Sequence, residues 1–358
     1  MSSKKWFISV IFSVLIILLT CGLCVFGLDP YFHYRKPNNS LTYHFAYDGI
    51  NVECYVNNGI IRNFEYDAVI TGTSITENFK SSEFDSLFQV HSIKVPFSGA
   101  AFKEIGDNCK SALTEHPELK IIFRSFDCGI SAVQDKDVAS YDSYPVYLYD
   151  DNLLNDVNYL LNKDSLIRGC AMNIIMSTIK GREPFSFDGY MNDSDLRSYG
   201  KEVVLASFKR PLKADEVVLL NEEEKSLLNE NIKQNIIELA EEYPDTRFIL
   251  FFSPHNICYW DILSQNGMIM KEIQIQEQAI EMLLPYSNIE LYSFCNNYDM
   301  ICNLDNYRDP THFREEINSD ILQWVSTGEY RITKDNYKSY LSEIADFYCG
   351  YDYESIYK

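Results

Sequence analysis

Five short apolar runs constrain this chain most. Residues 66–71, 89–95, 119–126, 247–252 and 289–294 each read as a strand. The fourth, Arg247-Phe248-Ile249-Leu250-Phe251-Phe252, is almost wholly apolar, as a strand covered on both faces must be. Helical spacing fills 77–87, 100–113, 222–243, 261–284 and 315–325. This alternation predicts an α/β fold with a mostly parallel five-stranded sheet and helices on both faces, a three-layer α/β/α arrangement. The rhythm breaks between residues 129 and 220, a stretch too long for one crossover and therefore read as an insertion, with helical segments at 152–161 and 165–179. The folded domain is thus placed at 66–326, behind a tyrosine-rich lead-in at 29–65 and ahead of a helical tail at 327–358.

The N-terminus is set apart. Lys4 and Lys5 precede an apolar run, residues 6–28, broken only by Ser9, Ser13 and Thr20. At ~1.5 Å per residue it reaches ~34 Å, enough to cross a bilayer. A cleaved signal would carry a shorter apolar core and a small-residue cleavage site, and neither is visible. Cys21 and Cys24 lack the small residues that precede a lipoprotein cysteine. Residues 1–28 therefore read as a cytoplasmic stub and an uncleaved transmembrane signal anchor. Lys4 and Lys5 favour an inside N-terminus and an extracytoplasmic main domain; Arg35 and Lys36 pull the other way, partly offset by Asp29.

A net charge of −21 argues against nucleic-acid binding, which needs clustered Lys and Arg. With 46% hydrophobic residues and only 11 Pro and 15 Gly, the chain can bury a large core and does not read as disordered. The 10 cysteines show no CxxC or Cys/His zinc spacing, so no metal and no disulfide connectivity is expected from them.

In parallel sheets, functional groups gather beyond the C-terminal ends of the strands. Thr71-Gly72-Thr73-Ser74 follows the first strand, and Ser74 is well placed to be a nucleophile. A helix starting near Ile75 would aim backbone N–H groups at its oxygen. On local sequence alone, Thr73, Ser74 and Thr76 also suit a helix cap. Asp309-Pro310-Thr311-His312 after the last strand decides between these readings: His312 can act as general base, oriented by Asp309, with Pro310 fixing the backbone between them. Gly99, after the second strand, suits an oxyanion donor or a helix-start glycine. Asp127 or Arg124, at the end of the third, suits the lining of a substrate pocket or a structural ion pair. His255, after the fourth, reads as an incidental loop histidine before a substrate contact. His33, His44, His91 and His116 have no comparable setting.

Gly72-Thr73-Ser74, Gly99 and Asp309-x-x-His312 together resemble the SGNH/GDSL hydrolase superfamily, over roughly residues 66–326. With the anchor, the chain resembles the membrane-anchored branch of lipoteichoic-acid D-alanylation (DltD-like) proteins. The resemblance implies an SGNH/flavodoxin-like fold, with Ser74 as nucleophile, Gly99 as oxyanion donor, and Asp309 and His312 completing a triad. It implies a serine esterase or O-acyltransferase working on acylated cell-envelope glycans or an acyl donor, without a cofactor, and a membrane O-acyltransferase as partner. The superfamily's Gly-x-Asn-Asp block is not recognisable. The third strand ends in Ser125-Phe126-Asp127, so the asparagine donor is absent or replaced, which leaves room for a transferase or for a degenerate, non-catalytic assembly or binding protein.

Overall fold

A computed structural model of the chain describes residues 3–37, 42–43, 52–179, 181 and 184–358. His44 and most of residues 38–51 of the lead-in lie outside that range. The chain divides into two compact units, Met1–Glu65 with Tyr141–Tyr190, and Tyr66–Ser140 with Met191–Lys358. The stretch read as one insertion is therefore shared: 141–190 belongs with the N-terminal segment, and 129–140 and 191–220 belong with the sheet.

The second unit holds a six-stranded sheet: β1 (Ala68–Gly72), β2 (Ser92–Pro96), β3 (Ile121–Phe126), β4 (Arg247–Phe252), β5 (Ile289–Ser293) and β6 (Arg331–Ile332), in the order β2-β1-β3-β4-β5-β6. The first five are parallel, at the five positions expected from sequence. β6 adds an antiparallel edge to β5 and takes the sheet beyond the five strands expected. Two residues carry no alternation, so nothing in the sequence signals it. Every residue of β1, β2 and β3 is buried. In β2 this includes Lys94, whose ammonium donates to the Glu77 and Phe79 carbonyls and so holds the chain that follows Ser74.

The helices depart from expectation where polar groups intervene. The segment expected as one helix over 77–87 is a 3-10 turn at Ser74–Thr76 and a helix only at Ser81–Phe88, because Lys94 has taken the intervening carbonyls. The helix over 222–243 begins at Glu222 behind a capping box of Asn221 and Glu224, and contains a wide turn at Lys233–Ile237. Within that turn the Asn235 carbonyl accepts from the buried Arg124 guanidinium at 2.8 Å. The stretch over 261–284 splits at Gly267 into Ile257–Gln265 and Ile269–Leu283. The tail contributes β6 and Tyr337–Gly350, which packs on Ile269–Leu283. None of the ten cysteines forms a disulfide.

In the first unit, helix Ser3–Leu28 contains an 18-residue window of mean hydropathy 2.8 and is long and apolar enough to cross a membrane. It ends where Asp29 accepts hydrogen bonds from the backbone N–H groups of His33, Tyr34 and Arg35 (3.0, 2.8 and 3.0 Å) and from the Tyr159 hydroxyl (2.8 Å). The lead-in also carries a largely buried helix, Glu53–Asn63. Phe32 and Phe64 meet Phe185 with ring centroids 5.1 and 5.6 Å apart, and the Tyr190 hydroxyl donates to Asn57 (2.7 Å), so Phe32, Asn57 and Phe64 share one core with residues 185–190. Gly59 permits the closest approach: a Cβ there would stand 2.4 Å from the Tyr31 carbonyl oxygen and 2.7 Å from that of Phe32. Because backbone cannot swing aside, Gly59→Ala is expected to lower stability by roughly 1–3 kcal/mol. Denaturant unfolding of the detergent-solubilised chain checks this; unchanged stability would contradict the contact.

Candidate active site

The site grows from the end of β1. Gly72 lies at φ +142, and a Cβ there would stand 2.2 Å from the Ser125 Oγ and 2.8 Å from the Thr76 side chain. Only glycine lets the end of β3 close on this turn. The Thr73 N–H donates to Ser125 Oγ (3.3 Å), and the chain then enters the 3-10 turn with Ser74 first. This corrects the expectation of a helix N-terminus behind the serine. A three-residue turn has no summed dipole of consequence, and the N–H groups of Thr76 and Glu77 are already spent on the Thr73 and Ser74 carbonyls (3.0 and 3.2 Å).

Ser74 Oγ lies 2.8 Å from His312 Nε2, and His312 Nδ1 lies 2.7 Å from Asp309 Oδ2. Burial raises the Asp309 carboxyl pKa, but the hydrogen bond and charge of His312, with the N–H groups of His312 and Thr311, outweigh it and hold the group well below its ordinary value. The carboxylate therefore accepts from Nδ1–H, which leaves the Nε2 lone pair to accept from the Ser74 hydroxyl. The loop bearing this motif is closed by a bridge between Tyr307 and Phe313. It is tied to the turn after β4 by Asn256, whose side chain donates to the Asp309 carbonyl (2.8 Å) and whose N–H donates to that of Pro310 (3.0 Å). The Tyr307 hydroxyl adds a bond to the Pro254 carbonyl (2.9 Å).

The other expected residues fare differently. The Asp127 carboxylate accepts from the hydroxyls of Thr73 (2.8 Å), Ser125 (3.2 Å) and Ser253 (2.9 Å). A carboxylate only accepts, so Asp127 cannot supply an oxyanion donor; it braces three strand ends. Arg124 points away from these groups, onto Phe102 and the Asn235 carbonyl. Gly99 stands in an exposed turn at φ +67, two residues after Phe97, whose N–H donates to the Gly72 carbonyl (2.8 Å). His255 lies against the Thr311 backbone and the Tyr259 ring, and burial lowers its pKa despite the nearby Asp127 charge. Sequence reasoning missed Ser125 and Ser253, whose hydroxyls are too common a feature to single out. It also missed Arg308, which lies 3.7 Å from Asp309 and forms an ion pair with Asp193 (2.6 Å).

Behind Ser253 and His255 lies a small cavity of about 10 Å³, also lined by Cys128, Tyr259, Glu272 and Gln276, with room for about one water. Burial pushes the Glu272 carboxyl up to about 7, although hydrogen bonds from Tyr259, Gln276 and Cys128 oppose it. A surface depression of about 690 Å³ lies at the opposite, N-terminal edge of the strands, around Lys120 and Arg247. No protein-family model matches the chain, and no curated protein sequence matches it significantly.

A carboxyl whose pKa is raised on folding contributes stability that is complete below its unfolded value, near ~4.3, and lost as pH rises through the folded one. Unfolding free energies of wild type and Glu272→Gln are therefore expected to diverge between pH 4.5 and 8. The wild type loses roughly 3 kcal/mol relative to the variant across that range. Parallel pH profiles would show that Glu272 is not held in this way.

Proposed function

We propose that this chain is a membrane-anchored serine esterase or O-acyltransferase of the SGNH/flavodoxin-like type, acting on acyl groups of cell-envelope glycopolymers. The observation that carries the proposal is the Ser74–His312–Asp309 chain at 2.8 and 2.7 Å, assembled from the two ends of a parallel sheet's sequence. The strand order 2-1-3-4-5 is also that of flavodoxin-like three-layer folds and supports an α/β/α arrangement. The apolar helix Ser3–Leu28 supports a single-pass anchor, with the sheet-bearing unit outside the cell as the Lys4–Lys5 charge favours. An acyl donor at the membrane and a membrane O-acyltransferase as partner fit this reading.

In this mechanism the Ser74 hydroxyl proton passes to His312 Nε2 as Oγ attacks the ester carbonyl, and Asp309 stabilises the imidazolium that forms. His312 returns the proton to the departing alcohol, leaving an acyl group on Ser74. Water or a glycan hydroxyl then gives its proton to His312 and takes the acyl group, and His312 returns that proton to the departing Ser74 Oγ, which regenerates the serine. The residues need no cofactor for these steps. The Gly99 N–H, in the turn beside the end of β1, is the donor offered to the oxyanion.

One observation favours a second reading, a non-catalytic envelope assembly or binding protein of the same fold. Asp127 stands where an asparagine donor is expected, and the N–H groups of Thr76 and Glu77 are already engaged. A fluorophosphonate probe separates the two. Labelling of wild type is expected to fall at least ~10³-fold in Ser74→Ala and in His312→Ala. Equal labelling of wild type and Ser74→Ala would exclude an activated serine. Turnover of short-chain p-nitrophenyl esters, lost in His312→Ala, would mark a general esterase rather than a polymer-specific transferase. Protease added to intact cells is expected to digest the sheet-bearing unit; full protection would reverse the topology.

A further inference from the structure

The first unit carries apolar side chains that its own core does not use. Leu153 and Leu154 are 76% and 88% exposed, Ile167 is 60% exposed, and Ile174, Ile175 and Ile179 continue the exposed set at 45%, 47% and 74%. Soluble surfaces do not gather large aliphatic residues at this density without a partner. The segment Ser165–Ile179 is apolar but short, reaching ~22 Å at most against a hydrocarbon core of ~30 Å. It cannot cross a bilayer, but its length suits lying in one.

The position of this segment selects the occupant. It packs on the last turns of helix Ser3–Leu28. At Gly22 the helix comes so close that a Cβ would stand 3.9 Å from Leu160 and 3.8 Å from Leu161. Cys170 Sγ lies 4.0 Å from the Cys24 carbonyl, and a Cβ on Gly169 would stand 2.7 Å from the Pro30 ring. Residues 160–170 therefore run alongside residues 22–30, the stretch where the apolar helix ends. That end carries groups suited to a membrane interface. The Arg35 guanidinium turns back to the Phe26 carbonyl (2.7 Å) and lies 4.8 Å over its ring, and the part-exposed Tyr34 ring lies 5.0 Å from the same ring. A cation and an aromatic side chain at a helix end are the usual groups at headgroup depth.

We propose that residues 153–179 form a second membrane contact, in which Leu153, Leu154, Ile167, Ile174, Ile175 and Ile179 enter the lipid of the leaflet where helix Ser3–Leu28 ends. The inference rests on the reading of that helix as membrane-spanning and adds to it a fixed monotopic platform. Interfacial helices of this kind sink ~5–10 Å into the headgroup–acyl boundary. The first unit then has two attachments to the bilayer, which restrict its rotation about the helix axis as a single span does not.

The test uses the full chain in phosphatidylcholine/phosphatidylglycerol nanodiscs, one copy per disc, with a diazirine high on the acyl chain. After photolysis, lipid adducts are mapped by mass spectrometry. Adducts are expected on peptides from 3–28 and from 153–179, and not from the helix at 222–242. Combining Leu153→Glu, Leu154→Glu and Ile179→Glu is expected to cut the adducts on 153–179 at least ~5-fold and leave those on 3–28 intact. Circular dichroism of the variant in the same discs checks that it is folded, and the wild-type map decides the matter without it. Adducts on 3–28 alone overturn this inference and leave the anchor standing. The same result with crosslinks from 153–179 to protein in native membranes assigns the surface to a protein partner or a second copy, and also overturns it. Absence of adducts on both segments overturns the spanning helix and this inference together.

Discussion

The Asp127 carboxylate is the point from which the site is measured. Hydroxyls at the ends of three adjacent strands donate to it: Thr73 after β1, Ser125 in β3 and Ser253 after β4. Parallel strands are held by their ladder only up to their ends, and the loops beyond are free to splay. Here one acceptor gathers them. Toward β1 it fixes Thr73 and thus the start of the turn that presents Ser74. Toward β4 it fixes Ser253, and the chain continues to Pro254 and Asn256, which hold Tyr307, Asp309 and Pro310. Ser74 and His312 are 238 residues apart in sequence, yet both are positioned from the same carboxylate.

That arrangement shapes the electrostatics of the proposed chemistry. Asp309 accepts from the His312 imidazole and so stabilises the cation that would form on transfer of the serine proton. The same carboxylate disfavours an approaching anion, and Arg308 offsets it only in part because Asp193 shares its charge. Under the proposed function, a neutral ester suits such a site better than a free carboxylate or phosphate.

What could be read from the chain follows from how local each signal is. Ser74, Asp309 and His312 were legible because Ser74 sits directly after the first strand and Asp309–His312 form a compact motif beyond the last parallel strand, and strand order carries both to one edge. The five parallel strands were legible as apolar runs. The brace was not, since Ser125 and Ser253 are ordinary hydroxyls until the fold brings them to Asp127. The turn at Ser74–Thr76 was misread as a helix start because Lys94, a charged residue within a strand, is buried and claims the carbonyls of Glu77 and Phe79. The partnership of residues 141–190 with the lead-in was equally hidden. Contacts such as Phe32 with Phe185, or Asn57 with Tyr190, join distant residues and leave no periodic trace.

The outer strands of the sheet have a consequence for life on a surface. A strand edge is a template for pairing with a neighbour, and tethering to a bilayer would raise the local concentration of neighbours. One edge of this sheet is β6, only two residues long. The other is β2, which ends on Pro96 and whose first N–H, on Ser92, is already committed to Asp85 at 2.8 Å. Neither margin offers a run of free amides long enough to recruit another sheet. Both margins are therefore poor templates for edge-to-edge pairing.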